Sequence, residues 1–164
     1  LVVDPFAGSG NTVYWLLNRL AGARAFACEN DPKVHELSAR NLSLLRLPLQ
    51  LECAAFPGGL EKVAAEPGEL VIAFVAPPWG RALDAHLGLD LSRTEPPVLE
   101  IVDCLARRFE GHPILFAVQL PEIVEGESLS RLVSRFQTYE RKIYALNRPG
   151  QNHGVLIGCT GWRP

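Results

Sequence analysis

Two short stretches of this chain carry residues whose types and spacing could do chemistry. In residues 4–12, an acid at the end of an apolar run passes into a turn that contains Gly8 and Gly10. Glycine permits a positive φ and close approach of a ligand to the backbone, and a carboxylate can accept a hydrogen bond from a cationic amine. In residues 76–80, two prolines and Trp79 follow another apolar run. Carbonyls on such a rigid turn can accept hydrogens from an amine, and an indole offers a stacking surface for a base.

The glycine turn is predicted to join a strand to a helix. Residues 1–3 are apolar, and apolar side chains recur at helical spacing over residues 14–20. A strand, a tight turn and a helix in this order place a ligand crevice at the carboxyl end of the first strand of a parallel sheet. The spacing argues against a dinucleotide, because Val13 stands where that fingerprint requires a third small residue. An acid at the end of the strand would also repel a pyrophosphate.

Residues 4–12, Asp-Pro-Phe-Ala-Gly-Ser-Gly-Asn-Thr, resemble motif I of class I S-adenosylmethionine-dependent methyltransferases. The form is that of amino-methyltransferases that act on nucleic acid bases. The resemblance implies that S-adenosylmethionine is the cofactor, that Asp4 holds its methionine amine, and that Gly8 and Gly10 admit it to the backbone. The other predicted cofactor-binding residues of this stretch are Pro5, Phe6, Ala7, Asn11 and Thr12.

A second acid lies at the distance expected of a ribose ligand. Residues 24–28 predict a second strand, and Glu29 follows Gly8 by 21 residues, close to the position at which an acid meets ribose hydroxyls. One carboxylate can accept from both hydroxyls. We therefore predict that Glu29 binds the ribose rather than serving as a solvent-facing or capping acid, and that Asn30 or Asp31 flanks the adenine.

The third predicted strand, residues 49–56, departs from the methyltransferase pattern at its end. The resemblance implies an acid there that accepts from the adenine amine, and this chain has Ala55 in that neighbourhood. Phe56 is predicted to pack on the adenine face, with a position in the core or as a loop anchor as the alternative.

The fourth predicted strand, residues 70–75, is continuously apolar, as expected of a central parallel strand covered on both faces. The Ala-Pro-Pro-Trp-Gly that follows resembles the Asp/Asn/Ser-Pro-Pro-Tyr/Phe/Trp tetrapeptide of amino-methyltransferases that modify adenine, cytosine or guanine. It is most similar to the Ser-Pro-Pro-Trp-Gly of trimethylguanosine synthases.

This resemblance implies catalytic roles for Ala76, Pro77, Pro78 and Trp79. The carbonyls of Ala76 and Pro77 would orient the acceptor amine, the prolines would hold the loop extended, and Trp79 would stack on the base. Where the family has Asp, Asn or Ser, this chain has Ala76, so one side-chain acceptor is lost. Each such hydrogen bond is typically worth about 1–3 kcal/mol.

The elements that position these residues alternate between helix and strand. Asn11 or Ser9 would cap the first helix, and the later elements are predicted at residues 32–45 (helix), 97–109 (helix), 112–120 (strand), 128–136 (helix), 138–145 (strand) and 155–160 (strand). We predict one domain, residues 1–164, with a doubly wound Rossmann-like α/β fold. The resemblance implies strand order 3-2-1-4-5-7-6 with the last strand antiparallel. The chain begins on its first strand and has no methionine, which suggests that a segment upstream is missing.

Composition narrows the choice of partners. The chain has 164 residues, a net charge of −2 and 48% hydrophobic residues, so any nucleic acid would need a local basic patch. Residues Arg141, Lys142, Arg148 and Arg163 make the carboxyl-terminal end basic, either as a phosphate-binding rim or as a solvated sheet edge.

The four cysteines and four histidines are scattered, which predicts free thiols and no metal site. Residues 70–79 are too short and proline-rich to span a bilayer, and no secretory signal precedes them, so a cytoplasmic location without membrane contact is expected.

These features predict a methyltransferase that acts on an exocyclic amine of a nucleic acid base, with RNA favoured over DNA. Three alternatives stay open. Ala55 and Ala76 favour a degenerate cofactor-binding or interaction domain without transfer activity. A methyltransferase for a small molecule or a protein is the second, because parts that select the substrate could lie upstream. An NAD-dependent oxidoreductase ranks last.

Overall fold

The computed structural model of the protein describes residues 1–144 and 152–162. Within these residues the strands are β1 (Val2–Asp4), β2 (Ala25–Glu29), β3 (Leu49–Cys53), β4 (Val71–Val75), β5 (Leu83–Asp84), β6 (Gly88–Leu89), β7 (Ile114–Pro121), β8 (Thr138–Tyr144) and β9 (His153–Thr160). The α-helices are α1 (Asn11–Arg19), α2 (Pro32–Ser43), α3 (Val98–Arg108) and α4 (Gly126–Val133). Short 3₁₀ helices occur at Gly58–Lys62 and Gly80–Ala82.

Seven of these strands form one sheet in the order β3-β2-β1-β4-β7-β9-β8. The first five in that order pair in parallel, and β9 pairs antiparallel with both β7 and β8. The fold class is the predicted doubly wound Rossmann-like α/β fold with an antiparallel seventh sheet strand. The strand numbering differs from the prediction because β5 and β6 form a separate two-stranded hairpin, which the prediction lacked. With that hairpin set aside, the order across the sheet corresponds to 3-2-1-4-5-7-6.

The sheet is covered on both faces because neighbouring residues of a strand point to opposite sides. Val2 packs with Val13 of α1 in one apolar cluster, whereas Val3 belongs to the larger cluster on the other face. That larger cluster includes the apolar stripe of α3, namely Val98, Ile101, Val102 and Leu105. The covered sheet places the carboxyl ends of β1, β2 and β4 at one edge, where loop residues are free to form a site.

Two local predictions differ from the structure. Neither Asn11 nor Ser9 caps α1; the cap position is taken by Gly10 in a left-handed conformation without a side-chain hydrogen bond. Residues 81–93, for which the sequence predicts neither a helix nor a strand, contain the hairpin of β5 and β6. In that loop Asp84 accepts hydrogen bonds from the backbone N–H groups of His86 and Leu87, so its carboxylate stabilises its own turn.

The predicted basic end is only partly within the described residues. Arg141 donates to the carbonyls of Pro121 and Glu122, and Lys142 pairs with Glu140 at 3.2 Å. Those contacts favour a structural role at the sheet edge. Arg148 and Arg163 lie outside the described residues, as does most of the segment 146–154 between the last two predicted strands. No helix in residues 1–144 and 152–162 combines the length and the hydropathy needed to cross a bilayer.

Candidate functional site

The carboxyl ends of β1, β2 and β4 meet around a cleft of about 320 Å³. This volume is at the lower end of the usual range for small-molecule pockets. Eight of the residues predicted for the site line this cleft, namely Pro5, Phe6, Gly8, Glu29, Asn30, Phe56, Ala76 and Pro78. The structure therefore brings together the glycine turn, the acid after the second strand and the beginning of the Pro-Pro-Trp loop, although they lie far apart in the chain.

The glycine turn is fixed by hydrogen bonds from both sides. Ala7 donates its N–H to the carbonyl of Cys28 in β2 at 2.8 Å, and the Ser38 hydroxyl of α2 donates to the carbonyl of Gly8 at 2.8 Å. Gly8 has a φ of 53°, and a Cβ built there would meet no heavy atom within 4 Å. The Gly8 backbone is thus held rigidly beside open space, where a ligand can approach it closely.

Glu29 links the glycine turn to the start of α2. One carboxylate oxygen, Oε2, accepts from the N–H of Gly8 at 2.9 Å, and Oε1 accepts from the N–H of Asp31 at 2.8 Å. Asp31 in turn caps α2 by accepting from the N–H groups of Lys33 and Val34. Glu29 is partly exposed in the cleft wall. Because a carboxylate has about four acceptor positions, two remain for ligand hydroxyls.

Asp4 is a buried carboxylate without a cation. It precedes Pro5 and Phe6 of the cleft lining in the chain but does not itself line the cleft; it is 1% exposed and accepts a hydrogen bond from the N–H of Phe6 at 3.0 Å. No basic side chain of residues 1–144 and 152–162 forms an ion pair with it. Burial raises the pKa of Asp4 to about 7; the Phe6 N–H opposes this rise and the negative charge of Glu29 adds to it. A cationic group at this position would stabilise the ionised form.

Other residues of the predicted cofactor set lie away from the cleft lining. Gly10 has a φ of 74°, and a Cβ on it would come 2.5 Å from Cδ1 of Leu42 in α2. Its missing side chain therefore allows the turn to pack on α2. Asn11 borders a separate depression between α1 and α2, Thr12 follows it in the first turn of α1, and Ala7 is buried.

An aromatic pair forms the apolar part of the cleft wall. The rings of Phe6 and Phe56 have centroids 5.7 Å apart and are tilted by 36°. Ala55 also lines the cleft, so the position at which the resemblance implies an acid is occupied by a methyl group. This wall can pack on a flat ring, but it offers no side-chain acceptor at Ala55.

The Pro-Pro-Trp loop divides its residues between two clefts. Ala76 and Pro78 line the first cleft, Pro77 is buried, and Trp79 lines a neighbouring cleft of about 510 Å³. The Trp79 ring lies 6.0 Å from the ring of His153, with an angle of 31° between the two planes. The Pro-Pro-Trp loop therefore lies between two cavities, each of which can hold a ligand.

Sequence reasoning missed three residues of this region. Ser38 supports the glycine turn, and Glu95 and Pro96 line the first cleft. The polar Ser38 at a buried position of α2 is the only signal that the sequence carries for it. Glu95 reaches the cleft through the path of the loop before α3, which no local pattern predicts. Among the residues that the structure describes, no cluster of three or more His, Cys, Asp or Glu side chains has the arrangement of a metal site.

Comparison with known proteins reveals likeness in structure alone. Neither a protein-family model nor a curated protein sequence matches the chain. The chain has a Rossmann-like α/β fold, and the solved structures that share this fold include methyltransferases. It aligns over 96% of its length with 86% of an rRNA methylase from Streptococcus thermophilus, with a TM-score of 0.57 and 18% identity.

Two further solved structures support this assignment. M. jannaschii TYW2, solved in complex with AdoMet, aligns with 96% of the chain over 67% of its own length, with a TM-score of 0.59 and 18% identity. The N-terminal domain of human METTL16 aligns with 99% of the chain, which spans 61% of that domain, with a TM-score of 0.63 and 14% identity. At these identities the likeness establishes the fold, and the chemistry has to be argued from the site.

Proposed function

We propose that this chain is an S-adenosylmethionine-dependent methyltransferase that acts on an exocyclic amine of a nucleic acid base, with RNA favoured over DNA. The observation that carries the proposal is the single cleft lined by the glycine turn, Glu29 and the start of the Pro-Pro-Trp loop. A cofactor site and an acceptor loop have to adjoin in this way for a group to pass between them. The structural neighbours include an rRNA methylase and a protein solved with AdoMet, which supports the same choice.

The residues present fit S-adenosylmethionine. Asp4 is a buried carboxylate that pairs with no cation of residues 1–144 and 152–162, as an ammonium group requires, and Glu29 retains acceptor positions for the ribose hydroxyls. Phe6 and Phe56 provide an apolar wall for the adenine. When bound, the cofactor supplies a methyl group that is already activated by its sulfonium, so the protein has to contribute positioning and electrostatic stabilisation.

The acceptor side depends on backbone carbonyls. An exocyclic amine is a weak nucleophile because its lone pair is delocalised into the base. The carbonyls of Ala76 and Pro77 would accept hydrogen bonds from the amine and so hold its nitrogen in place, while Trp79 would stack on the base. Pro77 and Pro78 restrict the loop to few conformations, which favours a fixed orientation of those carbonyls.

A domain that binds the cofactor without transferring its methyl group is the second candidate. Ala55 and Ala76 both line the cleft, and neither provides the side-chain acceptor that the resemblance implies. The two functions differ in product. A methyltransferase would move label from S-adenosylmethionine carrying a radioactive methyl group to RNA, and digestion to nucleosides would identify the modified base.

The same assay contains the outcomes that would contradict the proposal. Label that appears in protein or in small molecules, with none in RNA or DNA, would assign another class of acceptor. Cofactor binding without label in any acceptor would favour the degenerate domain.

A further inference from the structure

The cleft beside Trp79 has the chemical character of a nucleotide site. It has a volume of about 510 Å³ and is lined by Pro78, Trp79, Gly80, Arg81, Arg93 and Glu95. Pro78 and Glu95 also line the first cleft, so the two cavities are contiguous at these residues. An indole ring and two guanidinium groups in one cavity match the base and the phosphate of a nucleotide.

Both arginines are available for a ligand. Arg81 and Arg93 are exposed, and neither forms an ion pair or a side-chain hydrogen bond with the residues that the structure describes. Asp84 and Asp90 interact electrostatically with Arg93. Both acids accept hydrogen bonds within their own turns, and among the described residues neither forms an ion pair with the Arg93 guanidinium. The cleft lining thus carries two guanidinium groups and one carboxylate, Glu95, in a chain whose net charge is −2.

Glu95 supplies a side-chain acceptor to the cleft in which Ala76 has none. Both residues line the first cleft, and Glu95 borders the second as well. The loop that carries it is fixed by Thr94, which is 1% exposed and donates its hydroxyl to the carbonyls of Leu91 and Pro96 at 3.2 and 2.9 Å. Within residues 1–144 and 152–162, no group donates a hydrogen bond to the Glu95 carboxylate or forms an ion pair with it. A carboxylate that borders both cavities can accept a hydrogen bond from an amine.

We propose that the second cleft binds the methyl acceptor as a nucleotide whose phosphate contacts Arg81 and Arg93 and whose base stacks on Trp79. The exocyclic amine of that base donates a hydrogen bond to Glu95. This inference rests on the proposed function, because it takes the first cleft as the cofactor site. It adds a phosphate-binding pair and a side-chain acceptor from another loop, which replaces the one lost at Ala76.

The test is calorimetric titration of the whole chain with nucleoside monophosphates, with and without saturating S-adenosylhomocysteine. Adenosine, cytidine and guanosine monophosphates carry an exocyclic amine, whereas uridine and inosine monophosphates do not. We expect at least one amine-bearing nucleotide to bind, with an affinity that falls as salt is added. Arg81→Gln and Arg93→Gln should each weaken that binding about tenfold or more, and should leave binding of the corresponding nucleoside unchanged. Arg40→Gln removes the same charge from α2, outside the cleft, and should have no effect.

Glu95→Ala separates recognition of the amine from recognition of the phosphate. It should reduce the preference for an amine-bearing nucleotide over its carbonyl counterpart, for example cytidine over uridine monophosphate. The inference is overturned if no nucleotide binds at millimolar concentration, or if Arg81→Gln and Arg93→Gln behave like Arg40→Gln. Binding of S-adenosylhomocysteine without any nucleotide would reject this inference and leave the cofactor proposal intact. Nucleotide binding without S-adenosylhomocysteine binding would reject the methyltransferase proposal, and with it the assignment of this cleft to a methyl acceptor.

Discussion

Asp4→Asn should stabilise the protein without ligand at neutral and alkaline pH. The buried Asp4 carboxyl has a pKa of about 7 instead of its ordinary 3.8, chiefly because burial disfavours its charge. The unfolded chain therefore ionises Asp4 at a lower pH than the folded chain does. Asparagine has the same shape and keeps an oxygen for the Phe6 N–H, but it carries no charge in either state.

The sign of the effect follows from proton binding. Between about pH 4 and pH 7 the folded protein binds more protons at Asp4 than the unfolded chain, so stability falls as the pH rises through this window. Below it Asp4 is protonated in both states, and above it the loss is complete. The interval from 3.8 to about 7, at about 1.4 kcal/mol per pH unit, corresponds to a loss of about 4 kcal/mol by pH 8. Asp4→Asn removes this loss.

Urea unfolding followed by circular dichroism at intervals from pH 4.5 to pH 8 measures the effect. The free energy of unfolding of Asp4→Asn, relative to the original protein, should increase by about 3 kcal/mol over this range, because about 1 kcal/mol of the loss already occurs below pH 4.5. Asp4→Ala also loses the acceptor for the Phe6 N–H, so it should follow the same pH dependence at a lower stability. Parallel curves for Asp4→Asn and the original protein would refute the account of Asp4 as a buried acid that lacks a cation.

Three further predictions concern the same cleft. Gly10→Ala should lower the free energy of unfolding in urea by about 2–4 kcal/mol, because its Cβ meets Leu42 at 2.5 Å and its φ is positive, whereas Gly8→Ala should cost only about 1–2 kcal/mol; equal losses would contradict the packing role of Gly10. S-adenosylhomocysteine should bind more weakly as the pH falls from 8 to 6, by about tenfold in total, because its ammonium selects ionised Asp4; a calorimetric affinity independent of pH would contradict that contact. Ala76→Ser restores a side-chain acceptor and should raise single-turnover methyl transfer by about tenfold in a Glu95→Ala background, where the acceptor proposed to replace it is absent; an unchanged rate in that background would show that transfer does not need a side-chain acceptor here.

The sequence predicts the central part of the fold well because its strands are short, apolar and bounded by turns. The residues of β4 are continuously apolar, and α3 has an apolar stripe at helical spacing. The apolar pattern therefore indicates that the first segment is a strand and the second a helix. The hairpin of β5 and β6 escapes prediction because each strand has only two residues and β5 is exposed on both. No periodicity can be detected over that length.

A similar physical difference separates the site residues that the sequence predicts from those that it does not. Residues on or next to strand ends, such as Gly8, Glu29 and Ala76, converge because the sheet fixes their positions. Ser38 and Glu95 are supplied by a helix face and a distant loop, and their places depend on packing that a local pattern does not encode. The role of Gly10 in packing against α2 depends on a neighbour, Leu42, that lies 32 residues further along the chain.

The central claim is that Asp4 and Glu29 hold S-adenosylmethionine in the first cleft. Calorimetric titration with S-adenosylmethionine and with S-adenosylhomocysteine tests it most directly, on the original protein, Asp4→Ala, Glu29→Ala and the control Asp103→Ala. Asp103 is an acid paired with Arg135 at 2.9 Å and lies outside the cleft lining. We predict saturable binding by the original protein and the control, and loss of binding in Asp4→Ala and Glu29→Ala with the fold intact by circular dichroism. No binding by the folded original protein, or full affinity in both cleft variants, would contradict the claim.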